Sequence, residues 1–385
     1  MKKPKLRFPE FTDDWKQYKF GDIFTVSQGL QIPIDKRFLE DGENRFFYIT
    51  NEFLKDTCST AYYIENPSPS VLCNNEDILM TRTGNTGIVV TNVSGCFHNN
   101  FFKIKYDNHN FSKNYIYYLL NTKRMQNTIL KNAGSSTIPD LSHKSFYQII
   151  GYFPKQLMEQ EKIGSLLLNV DNLIQSAEKE LEGYRELKQG MLQKMFPKKG
   201  EKVPEIRFPE FNGDWEQRKL EDIANRFDNL RVPVASSIRI KGTTPYYGAN
   251  GIQDYVDGFT HEGEYVLVAE DGANDLINYP VNYVNGRIWV NNHAHVLQGK
   301  DNVVNNRYLS YAISRINMQS VLVGGGRAKL NAEAMMNLNL FLPSIAEQKK
   351  IGEYFSNLDN LITLQQKELD SYKELKKGLL QQMFC

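Results

Sequence analysis

The chain has 385 residues, 41% hydrophobic and 24% charged, with 46 Lys+Arg against 45 Asp+Glu. That length exceeds what one hydrophobic core usually serves, so two or more domains of ordinary globular composition are expected. A net charge of +1 gives nucleic-acid binding no support from bulk electrostatics, no 18-residue apolar run is present to span a bilayer, and the start MKKPKLRFPEF lacks a signal-peptide apolar stretch.

Residues 6–23, LRFPEFTDDWKQYKFGDI, return as IRFPEFNGDWEQRKLEDI at 206–223. The Phe-Pro-Glu-Phe pieces read as extended chain turning at Pro, with Trp15 and Trp215 as packing anchors. The endings Lys-(Phe/Leu)-x-Asp-Ile read as the start of a short helix or strand. Residues 24–152 follow, with strand-like runs RFFYIT, DILMTRTG, GIVVTNV and NFFKIKY between turn residues. The stretch 112–130 reads as one amphipathic helix. A loop GSSTIPDLS (134–142) and an apolar strand QIIGYF come next.

Residues from about 154 to 196 then repeat apolar positions every seven residues. Ile163, Val170, Ala177, Tyr184 and Met191 form one stripe, and Leu167, Ile174, Leu181 and Met195 a second, with Leu166, Leu173 and Leu187 widening the seam. This is the pattern of a long helix packed along a partner. The partner is in the same chain: residues 342–384 repeat it, and from Glu159 onto Glu347 22 of 38 positions are identical. A charged linker, KKGEKVPE (198–205), separates the halves. Residues 224–341 echo the order of 24–152 with little identity, matching DILMTRTG to EYVLVAEDG and the glycine loop at 134 to that at 324–326. Two domains of one layout, divergent at their loops and held on repeated scaffolds, suit two readers of different specificity.

Catalytic signatures are missing. There is no G-x-x-x-x-G-K-[ST] phosphate loop and no strand followed by G-x-G-x-x-G. Asn66-Pro67-Ser68-Pro69 superficially resembles the Asn-Pro-Pro-aromatic motif of amino-methyltransferases but lacks the aromatic, and reads as a turn. His293-Ala-His295 alternates on a strand, so both imidazoles could face one metal, although a half-buried strand with polar partners is the simpler reading. Cys58, Cys73, Cys96 and Cys385 lie far apart without paired metal-ligand spacing, and are expected as free thiols in a reducing cytoplasm.

The loops carry base-edge chemistry instead. Arg82, Thr83, Asn85, Ser135, Ser136, Thr137 and Lys144 combine hydroxyls, an amide and cations near glycines. The matching loops of the second half carry Glu270, Asp271 and Asn274, then Arg327, Lys329 and Asn331. Arg pairs with guanine, Asn with adenine, carboxylates accept from cytosine, and Ser or Thr reach phosphates or bases.

Taken together, the doubled RFPEF…W motif, the doubled helix opening (EQEKIG…VDNLI at 159–174, EQKKIG…LDNLI at 347–362) and the paired glycine loops resemble the specificity (S) subunit of type I restriction–modification enzymes over nearly the whole chain. The resemblance implies an α+β fold: two pseudo-symmetric α/β target-recognition domains joined by two long antiparallel coiled-coil helices. The expected boundaries are 1–152 for the first domain, 153–197 for the first helix, 198–341 for the linker and second domain, and 342–385 for the second helix. It implies double-stranded DNA, two modification (methyltransferase) subunits and ATP-dependent restriction subunits as partners. S-adenosylmethionine, ATP and Mg then enter through the partners, and this chain binds none and catalyses nothing. A coiled-coil scaffold with two protein- or glycan-binding domains, and a self-contained nuclease, are the competing readings. If the halves are related by a pseudo-two-fold, Phe384 lies near Lys5 as Phe196 lies near Glu205.

Overall fold

The computed structural model describes residues 3–55, 60–134, 137–324 and 329–385. They form two units, Met1–Ala177 with Glu368–Cys385, and Glu178–Lys367. Each of the two long helices, α5 (Leu157–Lys194) and α9 (Ile345–Gln382), contributes one half to each unit. The short helices are α1 (Phe20–Ile23), α2 (Lys113–Asn121), α3 (Lys123–Ala133) and α4 (His143–Tyr147) in unit 1, and α6 (Leu220–Ile223), α7 (Asn306–Ser314) and α8 (Ala332–Met336) in unit 2.

In unit 1 the entry motif supplies strand Lys16–Lys19, antiparallel to Ile150–Phe153 with Lys16 opposite Phe153. Trp15 is buried just before it, edge-on to Tyr115 at 5.9 Å between ring centroids. Two four-stranded sheets follow. One is ordered Phe24–Gln28, Phe101–Tyr106, Ile78–Thr81, Val89–Val90, and the other Tyr63–Glu65, Arg45–Ile49, Gly95–Phe97, Leu72–Cys73. In unit 2 the entry strand Glu216–Lys219 pairs with Asn339–Leu342. The equivalent strands merge there into one six-stranded sheet, ordered Ala224–Arg226, Ala294–Gly299, His261–Ala269, Val281–Val290, Lys241–Gly248, Gly251–Val256.

The repeated Glu-Gln at each long-helix start is a docking joint. Glu159, 1% exposed, accepts from Arg7 Nε and Nη2 at 2.6 and 2.8 Å and from Trp15 Nε1 at 3.1 Å. A carboxylate withdrawn from water requires such compensation. Gln160 accepts from Ser112 N and donates to the carbonyls of Asn110 and Pro154. Unit 2 repeats the ion pair and the glutamine bonds but not the tryptophan bond: Arg207 donates to Glu347 at 2.8 and 2.7 Å, and Gln348 serves Asn305, Val303 and Pro343, while buried Trp215 Nε1 has no partner among the described residues. The glycine that follows is set by space. A Cβ on Gly164 would stand 2.6 Å from Asn114 Cβ, and one on Gly352 3.0 Å from Tyr308 N.

The two helices run antiparallel. In unit 2, Lys188 pairs with Asp359 at 2.5 Å and Arg185 with Gln366 at 3.1 Å, one index rising as the other falls. In unit 1, Lys376 pairs with Asp171 at 2.6 Å. Each aspartate also accepts from a tyrosine of its unit, Tyr118 at 2.8 Å and Tyr311 at 2.6 Å. The closing contacts repeat as well: Leu6 N donates to Gln382 O and Ile206 N to Lys194 O, both at 2.9 Å. Lys5 and Phe384 line one cavity of unit 1, and Glu205 pairs with Lys194 in unit 2.

Two expectations need correction. The stretch 112–130 is two helices, because Thr122 leaves the helical path at φ −65°, ψ 142° and caps α3 by accepting from Met125 N. Leu173 and Leu187 are each 45% exposed and outside the seam, whereas Ile163, Leu167, Val170, Ala177 and Leu181 are buried. At about 100° per residue, positions +4 lie about 40° from the first stripe and positions +3 about 60° on its other side. A seam centred between the stripes therefore leaves Leu173 and Leu187 outside, whereas Leu166 is half-buried against the core of unit 1. His293 and His295 follow the simpler reading of polar partners and do not converge: His295 is buried inside unit 2, while the His293 side chain is 47% exposed and bound to Asp271. Cys73, Cys96 and Cys385 are free thiols, and Cys58 lies outside the described residues. Burial pushes the Cys73 thiol up to about 11 and Cys96 to about 12. Among the described residues no helix is long and apolar enough to cross a membrane.

Candidate nucleic-acid interface

In unit 1, strand Ile78–Thr81 delivers the chain into a tight turn. Buried Thr81 organises it: its Oγ1 donates to Asn85 O at 2.6 Å and accepts from Ile88 N at 2.9 Å. Gly84 and Asn85 both take positive φ, 59° and 50°, a region glycine and asparagine enter most readily. The turn is clasped to the second loop. Thr86 Oγ1 donates to Pro139 O at 2.6 Å, Leu141 N donates to Arg82 O at 2.9 Å, and Thr83 and Asp140 form an isolated bridge. Arg82 Nη2 reaches both Asp140 carboxylate oxygens, at 2.8 and 2.7 Å. Asn51 supports the turn by donating to the carbonyls of Thr83 and Gly84. Asn85, Thr137 and Lys144 remain exposed around this clasp, the last on α4, whose first turn is capped by Ser142. Ser135 and Ser136 lie outside the described residues.

In unit 2, strand His261–Ala269 leads to the equivalent turn, with Gly272 at φ 68°. Leu330 N donates to Glu270 O at 2.7 Å, and Asp271 and Lys329 form the isolated bridge. Glu270 is drawn inward: one oxygen meets Arg231 Nη1 at 2.6 Å, the other Lys329 Nζ at 2.9 Å. Burial alone would raise its pKa, but the bonds from Arg231 and Lys329 outweigh it and hold the carboxyl below its usual value. Asp271 binds His293, Asn274 N donates to Asn250 Oδ1, and Asn250 Nδ2 donates to Gly272 O. Asn274, Lys329 and Asn331 are exposed, and Arg327 lies outside the described residues.

Behind this loop His295 stands within 2.7 Å of Asp228 through Nδ1 and donates from Nε2 to Leu330 O at 2.9 Å. Asp228, Glu270 and His295 each place one possible ligand atom within 4.8 Å of the others. The donor set is already committed, however. Asp228 accepts from Arg226 Nη1 and Val296 N, and Glu270 from Arg231 and Lys329. A metal would have to displace arginine and lysine from a balanced network, so the cluster acts as a structural ion-pair knot.

The structure thus groups the sequence-identified residues into two kinds. Arg82, Glu270 and Lys329 are spent on clasps, and the exposed amides, the Thr137 hydroxyl and Lys144 form the outward face. Sequence reasoning missed Asp140 and Arg231, the partners that spend them, and Asp228, which holds His295. Asp140 was visible only as one residue of a polar loop, and Arg231 lies 39 positions before Glu270 with no local motif.

The described geometry has counterparts. A family model for the type I restriction modification DNA specificity domain matches residues 12–183 and 212–374. A putative type I restriction enzyme specificity subunit of Haemophilus influenzae is 40% identical over 174 residues, which are 41% of this chain and 45% of that relative. The chain therefore spans less than half the length of that relative. The MjaVIII specificity subunit of Methanocaldococcus jannaschii is 24% identical, across 97% of this chain and 92% of its own. In three dimensions, the S subunit of a type I restriction-modification system from M. genitalium superposes with a TM-score of 0.74 at 17% identity, covering 100% of this chain and 99% of its own. That likeness is one of fold.

Proposed function

Because the chain belongs to the type I restriction modification DNA specificity family, we propose that it reads a DNA target in two parts, one through each unit. The observation that carries this is a repeated frame with unlike tips. The joints Arg7–Glu159 and Arg207–Glu347 are the same. The exposed sets they support differ: Asn85, Thr137 and Lys144 in one unit, Asn274 and Asn331 in the other, where Lys329 is held by Glu270. Two like frames with unlike contacts suit an asymmetric, bipartite sequence, with amides serving adenine and cations guanine or phosphate.

In this reading the chain does no chemistry of its own. It positions two modification subunits, which bring S-adenosylmethionine, and restriction subunits, which bring ATP and Mg, in the cytoplasm where the DNA lies. A scaffold for protein or glycan ligands is not favoured, because the family match spans both units. The test is to map methylated adenines genome-wide before and after deleting this chain. Loss of methylation at one split motif is expected, and an unchanged pattern contradicts the proposal.

A further inference from the structure

The near-neutral composition conceals a concentrated basic face on unit 1. A cavity of about 1290 Å³ is bounded by the N-terminal segment, the start of α3 and the last turns of α9. Lys3, Lys5, Lys123, Arg124, Lys373 and Lys377 line it, Tyr152 and Phe384 contribute its aromatic wall, and no Asp or Glu is among its described lining residues. Arg124 stands 5.5 Å from the Tyr152 ring centroid. Of the lining lysines, Lys376 is spent on Asp171, Lys377 pairs with Glu374 and Lys3 with Asp14.

The charge continues out of the cavity along α3. This helix, KRMQNTILKNA, holds three cations and no acid. Arg124, Asn127 and Lys131 are exposed and recur at i, i+3 and i+7, so they share one face. Among the described residues Lys123, Lys131 and Lys144 make no ion pair. At its C-terminal end α3 runs into the loop that holds Thr137 and the Arg82–Asp140 clasp. Eleven residues at about 1.5 Å each cover about 16 Å, the length of about five base pairs. Among the described residues unit 2 has no such row. Its corresponding stretch 315–323 carries one cation, Arg315, which donates to Pro197 O at 3.1 Å and packs 5.2 Å from the Phe196 ring centroid.

We propose that this row, from the cavity along α3, is a sequence-independent grip on duplex phosphates flanking the bases read by unit 1. It rests on the DNA-reading assignment and adds that the two units are unequal. Unit 1 supplies backbone affinity that unit 2 lacks. Lys, Arg and Asn side chains are the ordinary phosphate donors, and each neutralised phosphate releases counterions.

Fluorescence anisotropy of the full chain on a random-sequence 30-base-pair duplex, from low to moderate salt, tests it. The variant Lys123→Gln/Arg124→Gln/Lys131→Gln is compared with the equal charge change Lys199→Gln/Lys241→Gln/Lys349→Gln in unit 2. The first is expected to lose about tenfold or more in affinity and about two to three in the log–log salt slope, the second little of either. Equal losses, or no loss in the first, overturn the grip. A wild-type chain that binds no duplex at low salt overturns it too. Base reading is judged separately, from the methylation motif of the assembled enzyme. If the motif survives while the grip fails, only this inference falls.

Discussion

Arg82 and Asp140 clasp the two loops of unit 1 across the same bridge that Glu270 and Lys329 close in unit 2, with the charges exchanged. A turn that must hold its shape while its neighbours face a ligand is tied at one point, and either polarity serves. The Asp140 side chain is 48% exposed, so solvent screens the pair. A double-mutant cycle of Arg82→Ala and Asp140→Ala, followed by urea unfolding, is expected to give a coupling of about 0.2–1 kcal/mol.

The joints at the helix starts behave differently, because their carboxylates are buried. Glu159→Gln leaves the Arg7 guanidinium, whose pKa its bond to Glu159 raises, without a counter-charge. Removing one partner of such a pair costs about 3–5 kcal/mol. Glu347→Gln is expected to do the same in unit 2, read as a loss in urea midpoint several times that of the Arg82 and Asp140 variants.

The glycines of the long helices divide by what surrounds them. Gly164→Ala drives a methyl into Asn114 and is expected to destabilise the chain. Gly183 and Gly190 have nothing within 4 Å of the added carbon. There alanine only removes backbone freedom from the unfolded chain, and a gain of about 0.5–1 kcal/mol each is expected in thermal unfolding.

These contrasts show what the sequence made legible. The repeat named the joints, since Arg7 and Arg207 recur in the entry motif and Glu159 and Glu347 at the matching helix starts, and the seven-residue stripes located the long helices. What the repeat could not convey is which polar residue is spent. Arg82 reads as a free donor until Asp140, 58 positions on, folds against it. Leu173 reads as seam because composition registers an apolar residue but not the angular centre of the interface. Thr122, inside an amphipathic stretch, looks helical until its hydroxyl is seen capping the next segment.

Acid should weaken the fold in two stages. Burial pushes the imidazoles of His98 and His261 below their usual value, so the unfolded chain takes up those protons first. Their contribution is complete above about pH 6.5 and is lost as pH falls through the folded values. For Asp228 burial acts upward, but bonds from His295 and Val296 N outweigh it, and its carboxyl, like that of Glu270, sits below the usual value. That contribution is present above about pH 4 and is lost as pH falls further. Urea midpoints measured from pH 8 to pH 3.5 check both stages. The double variant His98→Asn/His261→Asn is expected to flatten the first stage and leave the second.

The central claim is that each unit reads its own half of the target. Replacing residues 24–152 with the equivalent domain of a relative of known target, then sequencing the methylome of cells carrying the assembled enzyme, tests it most directly. The account predicts a motif in which one half becomes the relative's and the other is unchanged. A motif altered in both halves, or in neither, contradicts it.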